Sequence, residues 1–126
     1  MVRRTSHPLA ALTGALLLSG CAHAWFTPTG TTAYAPRPDD CAIEVFTTGA
    51  PDRAYEELGI LEGESGWLGG TKMSDLLPEM KIEACRAGGD ALVVHMSQRY
   101  TSGEDDDEML YSSATVIRWI ERQPVR

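Results

Sequence analysis

The chain has 126 residues, with 11 Lys and Arg against 18 Asp and Glu, and its formal net charge at pH 7 is −7. This acidic balance argues against a nucleic-acid-binding protein, which needs a basic footprint to meet the phosphates. The length allows one small domain, whose single core would be thin enough for a covalent cross-link to help.

The first 20 residues have the features of a secretory signal peptide. Arg3 and Arg4 give a positive start, residues 9–18 form a short apolar segment, and small residues follow. About ten apolar residues are too few to span a bilayer as a helix, which needs ~20. We therefore predict that residues 1–20 are a signal peptide and are removed in the mature protein.

The end of this segment, Leu18-Ser19-Gly20-Cys21, resembles the bacterial lipobox. In lipoproteins the cysteine thiol receives diacylglycerol, the chain is cut before it, and the new amino terminus is acylated. The resemblance therefore implies lipidation at Cys21, and several acyl chains anchor stably because each buried CH₂ adds ~0.8 kcal/mol. An ordinary signal peptide with an incidental cysteine is the alternative. The next residue is Ala22 rather than the Asp of inner-membrane retention signals, which favours an outer-membrane anchor facing the periplasm.

The mature chain would be more acidic than the precursor. Loss of Arg3 and Arg4 leaves 9 basic and 18 acidic residues, a formal net charge of −9. Besides nucleic acid, this charge argues against docking of the domain onto anionic lipid head groups. The predicted membrane contact is therefore the lipid itself.

Residues 21–40 are predicted to form a lipidated, extended tether, because they are rich in Pro and Thr and show no apolar period of 2 or 3.6. Trp25 and Phe26 are unusual for a spacer. One interpretation puts both aromatic rings at the bilayer interface beside the acyl chains. The other makes the tether a docking strip for an envelope partner, with Trp25 and Phe26 as contacts.

The domain is predicted to span residues 41–126 and to begin with two strands. Alternation of β-forming residues indicates a strand at about 42–48, a turn after Gly49, and a second strand at about 54–64. Gly59, inside the second strand, predicts a β-bulge or a close approach of another backbone. A glycine-rich loop at 63–70 follows.

That loop carries Trp67 and Leu68, which have two interpretations. An apolar pair on a loop is a candidate partner contact. The alternative is that Trp67 folds over the edge of the core.

The clearest periodic segment is a helix that follows the loop. Its apolar positions recur at the spacing of one helical face: Met73, Leu76, Leu77, Met80, Ala84 and Ala87. Ser74 is the expected N-cap, with Asp75 in the first turn and a start at 74 or later, since Pro78 is tolerated only near the start. Gly88 and Gly89 end the helix.

Two further strands are predicted at about 90–100 and 109–121, joined by the acidic tip 104–108. The order is then β-β-α-β-β. We predict an α+β fold in which the helix packs on a small, mainly antiparallel sheet.

Cys41 and Cys85 remain once Cys21 is assigned to lipid. An even number of cysteines in an oxidising compartment predicts a disulfide. It would clamp the start of the first strand to the end of the helix. A redox switch or a two-thiol metal site is the alternative, although the two cysteines lack C-x-x-C spacing.

Several stretches together resemble the small ββαββ envelope lipoproteins that include the Rcs stress sensors, the RcsF-like class. The resemblance covers about residues 41–97 and is carried by Cys41, Tyr55, Leu58, Gly59, Cys85 and the run Gly88-Gly89-Asp90-Ala91. It implies the fold and an envelope location. The family supplies no catalytic residues, and the Rcs sensors carry two disulfides where this chain has cysteines for one.

No motif for catalysis or for a cofactor stands out, so no catalytic residue, metal ligand or cofactor is predicted. There is no G-x-S-x-G elbow and no phosphate-binding G-K-[ST] sequence. The acids at 104–108 lack the ligand spacing of an EF-hand and are predicted to be a solvated hairpin tip rather than a Ca²⁺ site. His95, alone on its strand, is predicted to be structural or exposed.

The sequence therefore predicts a lipid-anchored, non-enzymatic envelope protein that binds or senses another envelope component. A periplasmic ligand- or metal-binding module is the alternative, favoured if His95 or the acidic tip converges with other donors.

Overall fold

A computed structural model describes residues 22–66, 69–103 and 107–121. Its single helix and five strands follow in the order β-β-β-α-β-β: β1 (His23–Pro28), β2 (Glu44–Phe46), β3 (Tyr55–Gly66), α1 (Met73–Arg86), β4 (Ala91–Ser102) and β5 (Asp107–Trp119). The strands form one sheet in the order β1-β3-β5-β4-β2. Only β2 and β4 run parallel, and the other neighbours are antiparallel. The predicted α+β fold with a mainly antiparallel sheet is confirmed.

The core lies between α1 and one face of the sheet. The predicted helical face is the one that packs there, with Leu76, Met80 and Ala84 fully buried against Leu61, Leu92 and Val116 among others. β4 is buried on both sides at its start, as its continuous apolar run predicts: Leu92 joins this core, whereas Ala91 and Val93 pack on the opposite face. No helix within the residues described has the length and apolar character to cross a bilayer.

Gly59 explains how β1 is held. The register between β3 and β5 shifts between Glu57 and Gly59, so Leu58 is the extra residue of a β-bulge. A Cβ at Gly59 would lie 2.3 Å from the carbonyl oxygen of Thr27 and 2.6 Å from a ring carbon of Phe26. Both alternatives predicted for Gly59, the bulge and the close approach, are therefore realised together.

The predicted tether is wrong for His23–Pro28, which form the edge strand β1 and pair with Gly59–Glu64 of β3. Ala24 and Phe26 alternate toward the core and His23 and Trp25 away from it, a period of 2 that the surrounding prolines obscured. The chain after β1 also docks on the domain, because the backbone N–H of Arg37 donates to the carbonyl of Cys85 at 2.9 Å.

The helix begins one or two residues earlier than predicted, and Ser74 is not its cap. Asp75 is in the first turn as expected, but its carboxylate reaches back to accept the backbone N–H of Lys72 at 3.0 Å. The N-cap is therefore Lys72. Pro78 is the sixth helical residue and is accommodated past the first turn.

The disulfide between Cys41 and Cys85 is present and ties the segment before β2 to the last turn of α1. Just beyond it, Gly88 ends the helix with a φ of +78°, a conformation that glycine adopts without a Cβ clash. Asp90 follows, and its carboxylate accepts the backbone N–H of Trp119 at 2.8 Å and pairs with Arg37. The Gly-Gly-Asp-Ala run thus has a structural role.

Candidate functional site: the open face of the sheet

The side of the sheet opposite α1 is covered by no element of the residues described. We call this side the open face, and it comprises the strand side chains that alternate away from the helix. Two neighbouring rows cross its centre. One row runs Trp25, Glu62, Ser113, Met96 across β1, β3, β5 and β4, and the next runs Thr27, Ile60, Thr115, Val93.

Three large apolar side chains on this face are exposed to solvent. Ile60 is 44% exposed, Met96 45% and Trp25 36%. Ile60 and Met96 lie on either side of β5, where small polar side chains, Thr115 and Ser113, occupy the positions between them. The centre of the sheet is therefore shallow, with these exposed apolar side chains beside small polar ones.

Glu62 connects three strands of the open face. Its carboxylate accepts the indole N–H of Trp25 at 2.9 Å and the phenol of Tyr111 at 2.6 Å. The hydrogen bond to Glu62 and then burial raise the pKa of Tyr111 above its ordinary 10.0. Trp25 is thereby fixed in orientation while remaining part of the surface.

Glu64 repeats this arrangement one row further. It accepts the phenol of Tyr100 at 2.8 Å, a bond that raises the pKa of Tyr100, and it lies 3.8 Å from His23. His23 in turn stacks on Trp25, with 5.4 Å between ring centroids. The result is a polar and aromatic network that holds rings and carboxylates in a fixed pattern.

The opposite end of the open face holds a groove of about 350 Å³. Val93 and Ile117 form its floor, and Tyr55, Glu57 and His95 line its walls. His95 is exposed, as one prediction had it, and its Nε2 lies 2.6 Å from the hydroxyl oxygen of Thr115. The register shift between Val94 and Met96 makes His95 the extra residue of a second bulge, a feature with no sequence signal such as glycine.

The charges of the open face have one sign. Within the described ranges, the strand residues that face this side include Glu44, Glu57, Glu62 and Glu64, and none is Lys or Arg. Arg53, from the turn before β3, covers Trp119 at one end. The face therefore carries exposed apolar side chains with carboxylates among them and no Lys or Arg among the described strand residues that point to this side.

The residues predicted as sites are distributed unevenly. Cys21, Trp67, Leu68 and the signal peptide lie outside the described residues, as do three acids of the tip, 104–106. Trp25 lies on the open face. Phe26 points the other way and packs half-buried against the core, so the predicted contact role does not fit Phe26. Neither aromatic residue is on a free tether.

Metal ligands, His95 and the cysteines were the other candidate features, and the structure places them as follows. There, no three His, Cys, Asp or Glu side chains come together as a metal site. His95 has Thr115 as its hydrogen-bond partner and lines the groove together with Tyr55 and Glu57. The cysteines form the disulfide, so they do not make a two-thiol metal site in this state.

Sequence comparisons give no match: no protein-family model and no curated protein corresponds to this chain. Among solved structures, the crystal structure of the Francisella virulence factor FvfA is similar, with a TM-score of 0.52 and 12% identity. The alignment covers 74% of this chain and 96% of the FvfA chain. At that identity the likeness concerns the fold alone, and the chain is therefore a protein with an FvfA-like α+β fold.

Proposed function

We propose that this protein is a lipid-anchored bacterial envelope protein, without enzymatic activity, that binds another envelope protein through its open face. The observation that carries the proposal is the pair of exposed apolar side chains, Ile60 and Met96, at the centre of a sheet face that no described element covers. Exposed apolar surface of this kind favours a protein contact.

The chemistry of the face defines the partner. Glu57, Glu62 and Glu64 lie beside the exposed apolar side chains, so a complementary surface presents apolar side chains together with Arg or Lys. Trp25, held by Glu62, supplies a rigid aromatic ring of the type that dominates binding energy at interfaces. A second anionic protein is disfavoured by the same charges.

The location rests on the lipobox-like end of the first segment, Leu18-Ser19-Gly20-Cys21, and on Ala22, which favours the outer membrane. Mass spectrometry of the protein from its own membrane tests it. We expect an amino terminus at Cys21 with the added mass of acyl chains, and a Cys21→Ser variant that is released from the membrane. An unmodified Cys21, or residues 1–20 still attached, would contradict the anchor.

Site-specific photo-crosslinking in intact envelopes tests the contact surface. A photoreactive residue at position 60 should give a discrete adduct that Met96→Glu weakens. Ile120 is the matched control, because it is 52% exposed but does not lie on the open face. Equal adducts from positions 60 and 120, or none from position 60, would refute the open face as the contact surface.

A small-ligand-binding module is the second candidate function. It is favoured by a cavity lined with arginines at the end of the sheet, which is independent of the open-face contact.

A further inference from the structure

Three arginines of this acidic protein line one cavity. Arg37, Arg53 and Arg118 surround a space of about 290 Å³, together with Asp90, Trp119 and Glu121. A chain with 18 acidic and 11 basic residues does not gather three guanidinium groups by composition alone.

Arg118 is held by neighbours that leave its charge largely available. Its guanidinium lies 4.1 Å from the centroid of the Tyr34 ring, and its Nη1 donates to the carbonyl of Gly88 at 2.9 Å. Glu56 is opposite Arg118 in the β3–β5 register, but its carboxylate accepts the phenol of Tyr34 and no ion pair joins it to Arg118 among the described residues. The stack and the backbone bond therefore orient the side chain.

Arg53 is oriented in the same manner. Its guanidinium carbon lies 4.4 Å from the centroid of the Trp119 ring, and within the described ranges no carboxylate pairs with it. Stacking on an aromatic face leaves the in-plane N–H donors of a guanidinium free to bind an oxyanion.

Asp90 offsets one positive charge of the cavity, and both of its carboxylate oxygens already have partners. One carboxylate oxygen pairs with Nη1 of Arg37 and the other accepts the backbone N–H of Trp119. Glu121 is exposed at the rim. Among the lining residues three guanidiniums meet two carboxylates, while Glu56, opposite Arg118 and outside the lining, accepts the Tyr34 phenol.

We propose that this cavity binds a phosphate group. Guanidinium donors match phosphate oxygens in pairs. The guanidiniums of Arg53 and Arg118, oriented by aromatic stacking, and that of Arg37, held by Asp90, suit a group with at least three oxygens better than a carboxylate. The inference names the ligand class of the second candidate function and does not depend on the open-face contact. The phosphate belongs either to a soluble compound or to a lipid head group.

Calorimetric titration of the full-length protein with inorganic phosphate at low salt tests the site. We expect saturable binding that Arg53→Ala weakens ~10-fold or more, because one charge-assisted bond is lost. Arg99→Ala is the matched control, since it removes the same charge from an exposed residue that donates to the carbonyl of Thr71, outside the cavity. Arg53 is in a turn, so its replacement leaves the core intact.

Glu121→Gln gives a test of opposite sign. Removal of this exposed carboxylate from the rim should strengthen phosphate binding ~2- to 5-fold. A gain of affinity cannot result from partial unfolding, so it separates the site from a loss of structure.

Co-sedimentation with phosphatidylglycerol vesicles, compared with phosphatidylcholine vesicles, distinguishes the two sources. Binding of inorganic phosphate that depends on Arg53 supports a soluble phosphate compound, and vesicle binding that depends on Arg53 supports a lipid head group. The proposal would be overturned if neither inorganic phosphate nor vesicles bind, if Arg53→Ala and Arg99→Ala lose the same phosphate affinity, or if acetate binds as tightly as phosphate.

Discussion

Removal of the disulfide should be the most damaging single perturbation of this fold. The variant is Cys41→Ala with Cys85→Ala, compared with the oxidised protein. The two cysteines are 44 positions apart, and the side chain of Cys85 is fully buried at the end of α1. Alanine avoids placing a buried hydroxyl at position 85.

The expected loss follows from the length of the closed loop. In the chain-entropy description a loop of this size restricts the unfolded chain by an amount that contributes about 4 kcal/mol to the free energy of unfolding. For a domain near this size each kcal/mol shifts the melting temperature by about 4–8 °C. The melting temperature of the double variant should therefore fall by on the order of 20 °C.

Urea denaturation of oxidised protein, reduced protein and double variant measures the effect. Reduced protein should resemble the double variant, and reductant added to the double variant should change nothing, which is the internal control. If the free energies of unfolding of oxidised and reduced protein differ by less than about 1 kcal/mol, the disulfide does not stabilise the fold by restricting the unfolded chain.

Three further predictions concern other parts of the structure. Gly59→Ala should destabilise the domain by about 1–3 kcal/mol and speed the hydrogen exchange of the β1 amides, because the new Cβ clashes with Thr27 and Phe26. Gly30→Ala is the control: its Cβ would lie 3.4 Å from its nearest neighbour, so stability should change by under about 0.5 kcal/mol. Ultraviolet titration should show Tyr111 ionising above its ordinary pKa of 10.0, and Glu62→Gln should lower that pKa. Since the pKa is raised in the folded state, the stabilisation from the Tyr111–Glu62 hydrogen bond is fully present below about pH 10 and is lost as the pH rises through the pKa of the folded protein. Asp90→Ala should lower the free energy of unfolding by about 2 kcal/mol and Asp90→Asn by less, because only Asn can still accept the Trp119 N–H; equal losses on chemical denaturation would contradict that role.

Most elements of the domain could be predicted from the sequence because local signals agreed with one another. The apolar spacing from Met73 to Ala87 predicted the buried helical face, and Gly59 predicted a bulge or a close approach, of which both are found. The pairing of Cys41 with Cys85 followed from counting the cysteines under the expectation of an oxidising compartment. Each of these signals is carried by a few neighbouring residues or by residue type.

β1 was missed because its evidence is not local. Six residues with an alternating pattern, ending at Pro28 and followed by further prolines, read as a spacer. Their inward side chains, Ala24 and Phe26, pack against the core, and the Phe26 ring lies where a Cβ at Gly59 of the distant strand β3 would clash. An edge strand also needs one partner only, so Pro28 at its end is tolerated.

The sequence by itself determined the α+β class, the helical face, the disulfide and the acidic character of the chain, since composition and short periods encode them. The tertiary structure decided which side chains become neighbours. It made Trp25 a surface ring held by Glu62 and Phe26 a core residue, left Ile60 and Met96 uncovered, and gathered Arg37, Arg53 and Arg118 around one cavity. The physical reason is that strand register and bulges join distant segments, and neither can be read from one segment alone.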